Sequence, residues 1–440
     1  MSNDNHGVEA SSKYAQSHTL AMKCPHLAGF DPSMPDPYPL LALARVEAPV
    51  FYLPELDYWC VTRHEDVLQI YRDPIAFSSD GMHNMRVPMP TSVVENVGPN
   101  YVFPFKGQLN TTDPPQHTRI RKLMMKAFTP RQVGGREADI RNIATETVKS
   151  LPATGIIELV SAYTSLVPTR VIALVLGMEQ DLAPKFSGWV GAFFALSASP
   201  EMAEDEATMH WSRLVEFDRL TRAFVEERRE HPSDDLTSEL IRSESDDGTP
   251  SLSDDEVLAN ILGLIAAASD TTSILIANTI YMLLKDRTLW EAVKADESLI
   301  PGAVEEALRL RSPVRGNRRT TTKEVELGGV KIPAGAAIYF QLGSANRDER
   351  VFANGEQYDM ERDNVGEHLG LGYGPHFCIG ATLARIEARV AVEELVRRVP
   401  DMRLGPGQEI ELDYSYNIVV PLLNSLYVER PRGSRSRSVR

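Results

Sequence analysis

Cysteine is scarce in this chain, with three among 440 residues, and no paired spacing predicts a disulfide framework. Positive charge is also in deficit, because 46 Lys and Arg residues face 61 Asp and Glu residues for a net charge of -15. A nucleic-acid binder with a basic face is therefore not expected. Nowhere do eighteen uncharged apolar residues run together, and residues 1–17 lack the charged-then-apolar order of a secretion signal. We expect a soluble, cytoplasmic protein.

The length and composition favour a large folded unit. With 42% hydrophobic residues, the chain can bury a sizeable core, and its length alone would suggest about two or three domains. Helical periodicity dominates, whereas runs typical of strands occur at 50–53, 58–62, 325–332 and 337–341. Cys60 lies in the second run, where a core position is expected. The polar stretch 243–253 predicts a flexible connection.

A long segment with few helix signals, residues 82–108, contains four prolines. Loops of this length in a compact protein are usually functional. We therefore expect a lid over a binding site here.

The longest predicted helix runs over residues 253–284. Ser253 and Glu256 have the spacing of a capping box at its start, and the interior is nearly uncharged. At ~1.5 Å per residue such a helix spans on the order of 45 Å, enough to cross the molecule. A membrane span is disfavoured because Asp270, Asn260 and Asn278 would be costly in lipid. We expect a buried central helix.

A single cysteine, Cys378, lies in a glycine-rich loop that opens onto a predicted helix at 381–397. Gly372 and its neighbouring glycines allow the backbone to approach a flat ligand closely, and the helix N-H groups are expected to lower the thiol pKa. An inert buried cysteine is the plain alternative. A zinc site would take Cys378 with His368 and His376 but lacks a fourth ligand, and the glycine spacing does not suit a dinucleotide loop.

The loop resembles the proximal heme loop of the cytochrome P450 monooxygenases, in which glycines, a basic residue, the cysteine and a further glycine recur in fixed order. The resemblance implies heme b, with Cys378 as the iron ligand. Around the heme it places Leu371, Gly372, His376 and Gly380. Leu371 replaces the usual phenylalanine, so we expect an apolar wall with altered hydrogen bonding around the sulfur.

Residues 267–272, Ala-Ala-Ser-Asp-Thr-Thr, resemble the oxygen-activation stretch of the same family. By position, Thr271 is the hydroxyl that holds the oxygen and Asp270 is the proton source, while Ala267 contacts the heme and Ala268 replaces the usual glycine. In the alternative interpretation, Thr271 bonds its own helix and Asp270 pairs with a distant arginine.

Buried heme propionates need cations or hydrogen-bond donors. His117 and Arg121 lie four apart on a helix predicted just after two prolines, and they match the family's propionate-binding helix. Arg319 and His376 complete the implied set. For each of these alone, a surface salt bridge is the plain alternative.

Glu306 and Arg309, three apart on a predicted helix, resemble with Arg362 the structural ion-pair triad of the family. An exposed helical pair of this kind contributes only about 0.5 kcal/mol, so its value depends on burial. We assign the triad to folding.

The resemblance covers about residues 36–421 and implies a mainly α protein with the cytochrome P450 fold, a helical prism with a long central helix and small β-sheets. It predicts a flexible N-terminal segment at 1–35, a single domain at 36–425 and an Arg- and Ser-rich tail at 426–440.

The implied activity is that of a soluble, bacterial-type heme-thiolate monooxygenase. It would insert one oxygen atom of O2 into an apolar or aromatic small molecule with electrons from a ferredoxin and its NAD(P)H-dependent reductase, and we expect a monomer. The ferredoxin is expected to dock near Lys122, Lys126 and Arg131. A peroxide-driven variant, a nitric oxide reductase and a non-catalytic ligand-binding or carrier-protein-binding relative are alternatives.

Family position also implies the substrate pocket, which is rich in phenylalanine. Its candidate residues are Phe103, Phe105, Phe193, Phe194, Ala268, Arg315 and Val419. For Arg315, pairing with a substrate carboxylate competes with a solvated or propionate-facing position.

Overall fold

The structure, a computed structural model, describes residues 27, 30–80, 85–104, 107–128, 130–198, 202–243, 251–407, 411–413 and 418–432. The helices in this part are α1 (Tyr38–Glu47), α2 (His64–Arg72), α3 (Thr91–Val97), α4 (Gln116–Ala127), α5 (Pro130–Gly135), α6 (Glu137–Lys149), α7 (Leu166–Leu176), α8 (Ala183–Ala198), α9 (Glu204–Glu230), α10 (Leu236–Ile241), α11 (Asp254–Lys285), α12 (Arg287–Ala295), α13 (Ile300–Leu310), α14 (Leu342–Ala345) and α15 (Ala381–Arg398). The mainly α fold predicted from the sequence is confirmed.

Short strands form small sheets at the side of the helices. They are β1 (Val50–Leu53), β2 (Tyr58–Val61), β3 (Phe77–Ser78), β4 (Gly155–Glu158), β5 (Asn317–Thr321), β6 (Val325–Leu327), β7 (Val330–Ile332), β8 (Ala337–Phe340), β9 (Arg403–Leu404), β10 (Glu411–Asp413), β11 (Leu422–Ser425) and β12 (Tyr427–Arg430). The largest sheet has five strands in the order β1-β2-β8-β5-β3. Only the β2–β8 pair in it is parallel, with Cys60 opposite Tyr339. The other sheets are β4-β12-β9 and the pairs β6-β7 and β10-β11.

The central helix α11 forms as predicted. Its capping box is present, because the Ser253 hydroxyl accepts from the Glu256 N-H while the Glu256 carboxylate accepts from the Ser253 N-H. Among the described residues this is the one helix long and apolar enough to cross a membrane, and 72% of its apolar window is buried inside the protein. It therefore has the surroundings of a core helix, packed against α7, α13 and α15.

Glu256 also joins two helices. Its Oε1 accepts from Gln116 at 3.2 Å and from Arg119, both on α4. The start of the central helix is thereby tied to the start of the helix that carries His117 and Arg121. Hydrogen bonds to a charged group are stronger than neutral ones, so the Glu256 carboxylate stabilises the contact between α11 and α4.

Two sequence expectations need correction at the ends of the domain. Leu27 and Phe30 are buried, and the Phe30 ring contacts Phe51 edge-on with centroids 5.6 Å apart. The packed domain therefore begins before residue 36. At the other end β12, Tyr427–Arg430, pairs with β4 and β9, so the domain extends beyond residue 425.

The predicted 82–108 loop also differs from expectation, since it contains helix α3. Pro90 precedes this helix and Gly98, with φ of +93°, follows it, the arrangement typical of a proline start and a glycine stop. Trp211 on α9 donates to the Val87 carbonyl at 3.2 Å, and Tyr101 donates to Asp218 at 3.0 Å. The segment is thus held against α9. Most of the 243–253 connection lies outside the described residues.

Candidate active site

The Cys378 loop is a compact turn closed by a main-chain hydrogen bond within it. The Cys378 N-H donates to the Leu371 carbonyl at 2.8 Å, and Gly372 has a φ of +73° that L side chains rarely adopt. A Cβ at Gly372 would lie 3.0 Å from the His376 carbonyl oxygen. Arg121 donates to the Phe377 carbonyl at 2.8 Å from the neighbouring helix α4. Both Gly372 and Arg121 therefore fix the loop in which the cysteine lies, and α15 begins at Ala381, just after Gly380.

The expected lowering of the thiol pKa is wrong for the side chain taken by itself. Burial raises the pKa of Cys378, and this effect outweighs the opposing N-H of Gly380 and the positive charges of Arg121 and Arg385. The Gly380 N-H at the helix start and the two arginines do lower the thiol pKa, as expected from the sequence. Their combined effect is smaller than the cost of removing a thiolate from water.

The four residues predicted to meet the propionates come together. The rings of His117 and His376 lie 4.2 Å apart between centroids. Burial, followed by the positive charges around them, lowers the pKa of His117 to about 4 and that of His376 to about 3. Arg121 and Arg319 are among those charges for both histidines. The result is a cluster of cationic and donor groups in which His117 and Arg319 are buried and Arg121 and His376 are partly exposed.

This cluster fits the carboxylates of a heme. His117 is only 1% exposed, and neither of its ring nitrogens has a hydrogen-bond partner among the described residues. A neutral imidazole has one N-H donor, and an orphaned buried donor beside two arginines is costly unless an anion meets it. A ligand with two acidic groups satisfies this requirement.

One contact of the cluster was not foreseen. The Ser79 hydroxyl lies 3.2 Å from His376 Nε2, and the Ser79 N-H donates to Asp113 at 2.8 Å. Asp113 stands four residues before His117, but nothing in the sequence around Ser79 signals its place beside His376.

The zinc alternative has no support in the structure. His368 Nε2 lies 3.1 Å from Glu305, and its Nδ1 accepts from the Gly370 N-H at 3.1 Å. Within the described residues no three His, Cys, Asp or Glu side chains lie close enough together to hold a metal ion.

The oxygen-activation stretch lies in the middle of the buried central helix and is more open than its neighbours. Ala267 is exposed, and Ala268, Asp270 and Thr271 are partly exposed, whereas the residues around them are mostly buried. The Thr271 hydroxyl donates to the Ala267 carbonyl, which is the back-bonded alternative considered for it. Burial raises the pKa of Asp270 to about 6. No arginine in the described part of the chain pairs with this carboxyl group.

The comparisons with known proteins agree with this geometry. Residues 96–399 match the family model "Cytochrome P450". Cytochrome P450 107B1 of Saccharopolyspora erythraea is 34% identical over 374 residues, 85% of this chain and 89% of the relative. The chain belongs to the cytochrome P450 family. It is a monooxygenase-type oxidoreductase and binds heme b, as other members do.

Further similarities of this P450 extend over most of its length. The mycinamicin IV hydroxylase/epoxidase of Micromonospora griseorubida is 35% identical over 351 residues, 79% of this chain and 83% of the relative. The structure of cytochrome P450 CREJ with (4-ethylphenyl) dihydrogen phosphate has a TM-score of 0.83 at 31% identity and covers 91% of this chain and 99% of that one. The structure of CYP109E1 from Bacillus megaterium with testosterone has a TM-score of 0.78 at 29% identity, covering 90% and 98%.

The residues predicted to line the substrate pocket of this P450 lie in two separate apolar clusters. Phe103 and Phe193 are buried in the main apolar core, and Phe194 is partly buried with its ring 5.4 Å from that of Phe193. Val419 belongs to a smaller apolar cluster with the N-terminal residues. Phe105 lies outside the described residues.

Arg315 is corrected from a substrate ligand to a packing residue. Its side chain is 1% exposed and donates to the carbonyl of Met34 at 2.8 Å and to those of Pro32 and Pro35 at 3.4 Å. The guanidinium ties the N-terminal segment to the start of the β5 region and is occupied by main-chain acceptors.

The ion-pair triad forms and is buried. Arg309 makes two bonds of 2.7 Å to the Glu306 carboxylate, with both side chains 0% exposed. Arg362 adds a bond of 3.2 Å to Glu306. Such a pair depends on its full hydrogen bonding, because breaking it leaves a buried charge without compensation.

Proposed function

We propose that this P450 inserts one oxygen atom of O2 into an apolar or aromatic small molecule, using electrons from a ferredoxin and its NAD(P)H-dependent reductase. The proposal depends on one observation above all. The Cys378 loop and the donor cluster of His117, Arg121, Arg319 and His376 lie together, while Asp270 and Thr271 form an open stretch in an otherwise buried helix.

The relatives support the substrate class. They include proteins named mycinamicin IV hydroxylase/epoxidase and erythromycin C-12 hydroxylase, and related structures contain testosterone or an aryl phosphate. Testosterone and the ethylphenyl group of the aryl phosphate are apolar skeletons. Among the phenylalanines proposed for the pocket, Phe194 is partly buried and offers aromatic surface for such a skeleton.

Within this proposal, each residue has a defined task. The heme, when bound, supplies an iron centre that activates O2 with two electrons. Cys378 is the thiolate ligand, and the donor cluster binds the propionates. Leu371 is partly buried against the main core and would provide an apolar wall beside the sulfur, while Gly372 and Gly380, which lack side chains, would allow the loop to approach the heme.

Asp270 and Thr271 handle the protons. With a pKa of about 6, Asp270 exists in both protonation states near neutral pH and so transfers protons in either direction. Thr271 must exchange its bond to the Ala267 carbonyl for one to the oxygen being protonated. Replacing Thr271 with Ala should raise the NAD(P)H consumed per product formed, whereas Thr271→Ser should restore coupling.

The electron donor is proposed to dock on the α4 side of the Cys378 loop. Lys122 and Lys126 are exposed on α4, and Arg121 on the same helix bonds directly to the loop. The side chain of Arg131, the third proposed contact, lies outside the described residues. Lys122→Glu with Lys126→Glu should weaken ferredoxin-supported turnover at low salt, and Lys331→Glu, at an exposed lysine on β7, is the control.

The decisive experiment consists of two measurements. Reduced protein under carbon monoxide should show the strongly red-shifted Soret band of thiolate ligation, and Cys378→Ser should lose it. Turnover under ¹⁸O2 should then place one labelled atom in the product. A normal P450 spectrum with product formed only from added peroxide would overturn the monooxygenase proposal and favour the peroxide-driven alternative.

A further inference from the structure

A cleft of about 780 Å³ opens between α1, the C-terminal end of α11 and the end of α13. Its volume is in the range of clefts that hold small molecules. None of the described residues that line it belongs to the Cys378 loop, the donor cluster or the oxygen-activation stretch. The cleft is therefore separate from the active site. Its apolar wall is formed by Pro39, Ala42, Met282 and Leu310.

Two cations meet at one aromatic ring on the α11 side of the cleft. The Arg311 guanidinium lies 5.1 Å from the centre of the Tyr281 ring, and its Nε donates to Asn278 Oδ1 at 3.1 Å. Lys285 donates to the hydroxyl of Tyr281 at 3.1 Å. Two like charges that share one ring repel each other. An anion bound in the cleft would offset that repulsion.

The α1 side of the cleft is positive as well. The guanidinium of Arg347 lies 3.4 Å from the centre of the Tyr38 ring. Burial raises the pKa of this phenol, but the positive charges of three arginines, Arg347, Arg315 and Arg311, outweigh burial and lower the pKa overall. A partly buried phenol has a lowered pKa only where the potential around it is positive. The potential in the cleft therefore favours negative charge.

The cleft offers little negative charge of its own to Arg311. Two acidic residues line it. Glu356 lies 3.0 Å from Arg347 with 54% of its side chain exposed, and Asp36 is exposed. No carboxylate in the described part of the chain forms an ion pair with Arg311, whose Nε is held by an uncharged amide. An acceptor from outside the chain would complete its hydrogen bonding.

We propose that this cleft is a second ligand site, which binds the carboxylate of a small molecule with an apolar body. The planar fork of the Arg311 guanidinium matches a carboxylate, and Lys285 adds a second cationic donor. The apolar wall packs against the body of the molecule. Asn278 lies ~10 Å beyond Thr271 along the axis of α11, so the ligand does not compete with the substrate. The inference holds whatever molecule the enzyme oxidises and is independent of the proposed function.

A matched pair of probes tests the inference on the holoenzyme. 4-Phenylbutyrate and 4-phenylbutyramide have the same apolar body and differ in the charge of the head group. The heme pocket is first saturated with 4-phenylimidazole, as reported by the Soret shift, and the binding of each probe is then measured by calorimetry at low salt. The wild type should bind the carboxylate more tightly than the amide by about tenfold or more, because hydrogen bonds to a charged acceptor are the stronger ones.

Two variants locate the binding. Arg311→Gln and Lys285→Gln should each reduce the preference for the carboxylate severalfold. The control is Lys323→Gln, at an exposed lysine outside the cleft, which should keep the wild-type preference. If Arg311→Gln does not retain heme, Lys285→Gln decides, because Lys285 is exposed. A wild type that binds no phenylbutyrate while the heme pocket is filled, or a preference that the cleft variants retain, would overturn the inference.

Discussion

Replacing Asp270 with Asn should stabilise the protein while impairing proton delivery. Burial raises the pKa of this carboxyl from 3.8 to about 6, so ionised Asp270 is disfavoured in the folded state. Between pH 3.8 and about pH 6 the folded state keeps the Asp270 proton that the unfolded state has released. The folded state therefore loses stability as pH rises through that range. At about 1.4 kcal/mol per pH unit, the cost approaches about 3 kcal/mol at pH 8 and is about half as large at pH 5.

The free energies of unfolding of wild type and Asp270→Asn, measured by urea titration from pH 5 to pH 8, check this reasoning. The variant should be the more stable, and its advantage should grow with pH. Asp363→Asn removes an exposed carboxylate and should change stability by less than about 0.5 kcal/mol at every pH. An advantage that stays constant or shrinks as pH rises would refute burial as the cause of the raised pKa.

Three further outcomes are expected. Glu306→Gln should lower stability by about 3–5 kcal/mol and release heme at lower temperature, because buried Arg309 loses its counter-charge; a thermal midpoint like that of exposed Glu361→Gln would contradict this. Tyr101→Phe should speed hydrogen exchange over residues 85–104 with little change in global stability, since it removes the 3.0 Å bond to Asp218; unchanged exchange would argue against this link. Arg315→Met should lower the thermal midpoint and leave substrate affinity unchanged, and the reverse result would restore the substrate assignment.

The central helix and the Glu306–Arg309 pair were predictable because their signals are local, whereas Arg362 was placed in the triad only by resemblance to the family. Ser253 and Glu256 lie three apart and are both parts of one cap, and Glu306 and Arg309 lie three apart on one helical face. Helix α3 carried local signals too, in Pro90 and Gly98, although the prolines around it favoured a loop.

The features that the sequence could not predict depend on distant partners or on burial. The Arg315 guanidinium meets carbonyl oxygens 280 or more positions away, and strand β3 has two residues that pair only with β5. The pKa of Cys378 is set by the depth at which the folded chain encloses it. Helix capping rules predict that the start of α15 lowers the thiol pKa, but they do not predict how strongly burial raises it.

The carboxylate of Glu256 is shared between its own cap and two side chains of α4, and this sharing joins the helix that carries His117 and Arg121 to the helix that carries Asp270 and Thr271. Shortening that one side chain by a methylene, as in Glu256→Asp, should shift the start of α4 relative to the start of α11. Enzyme engineers who want to change how these two helices meet therefore have an adjustment point remote from the chemistry.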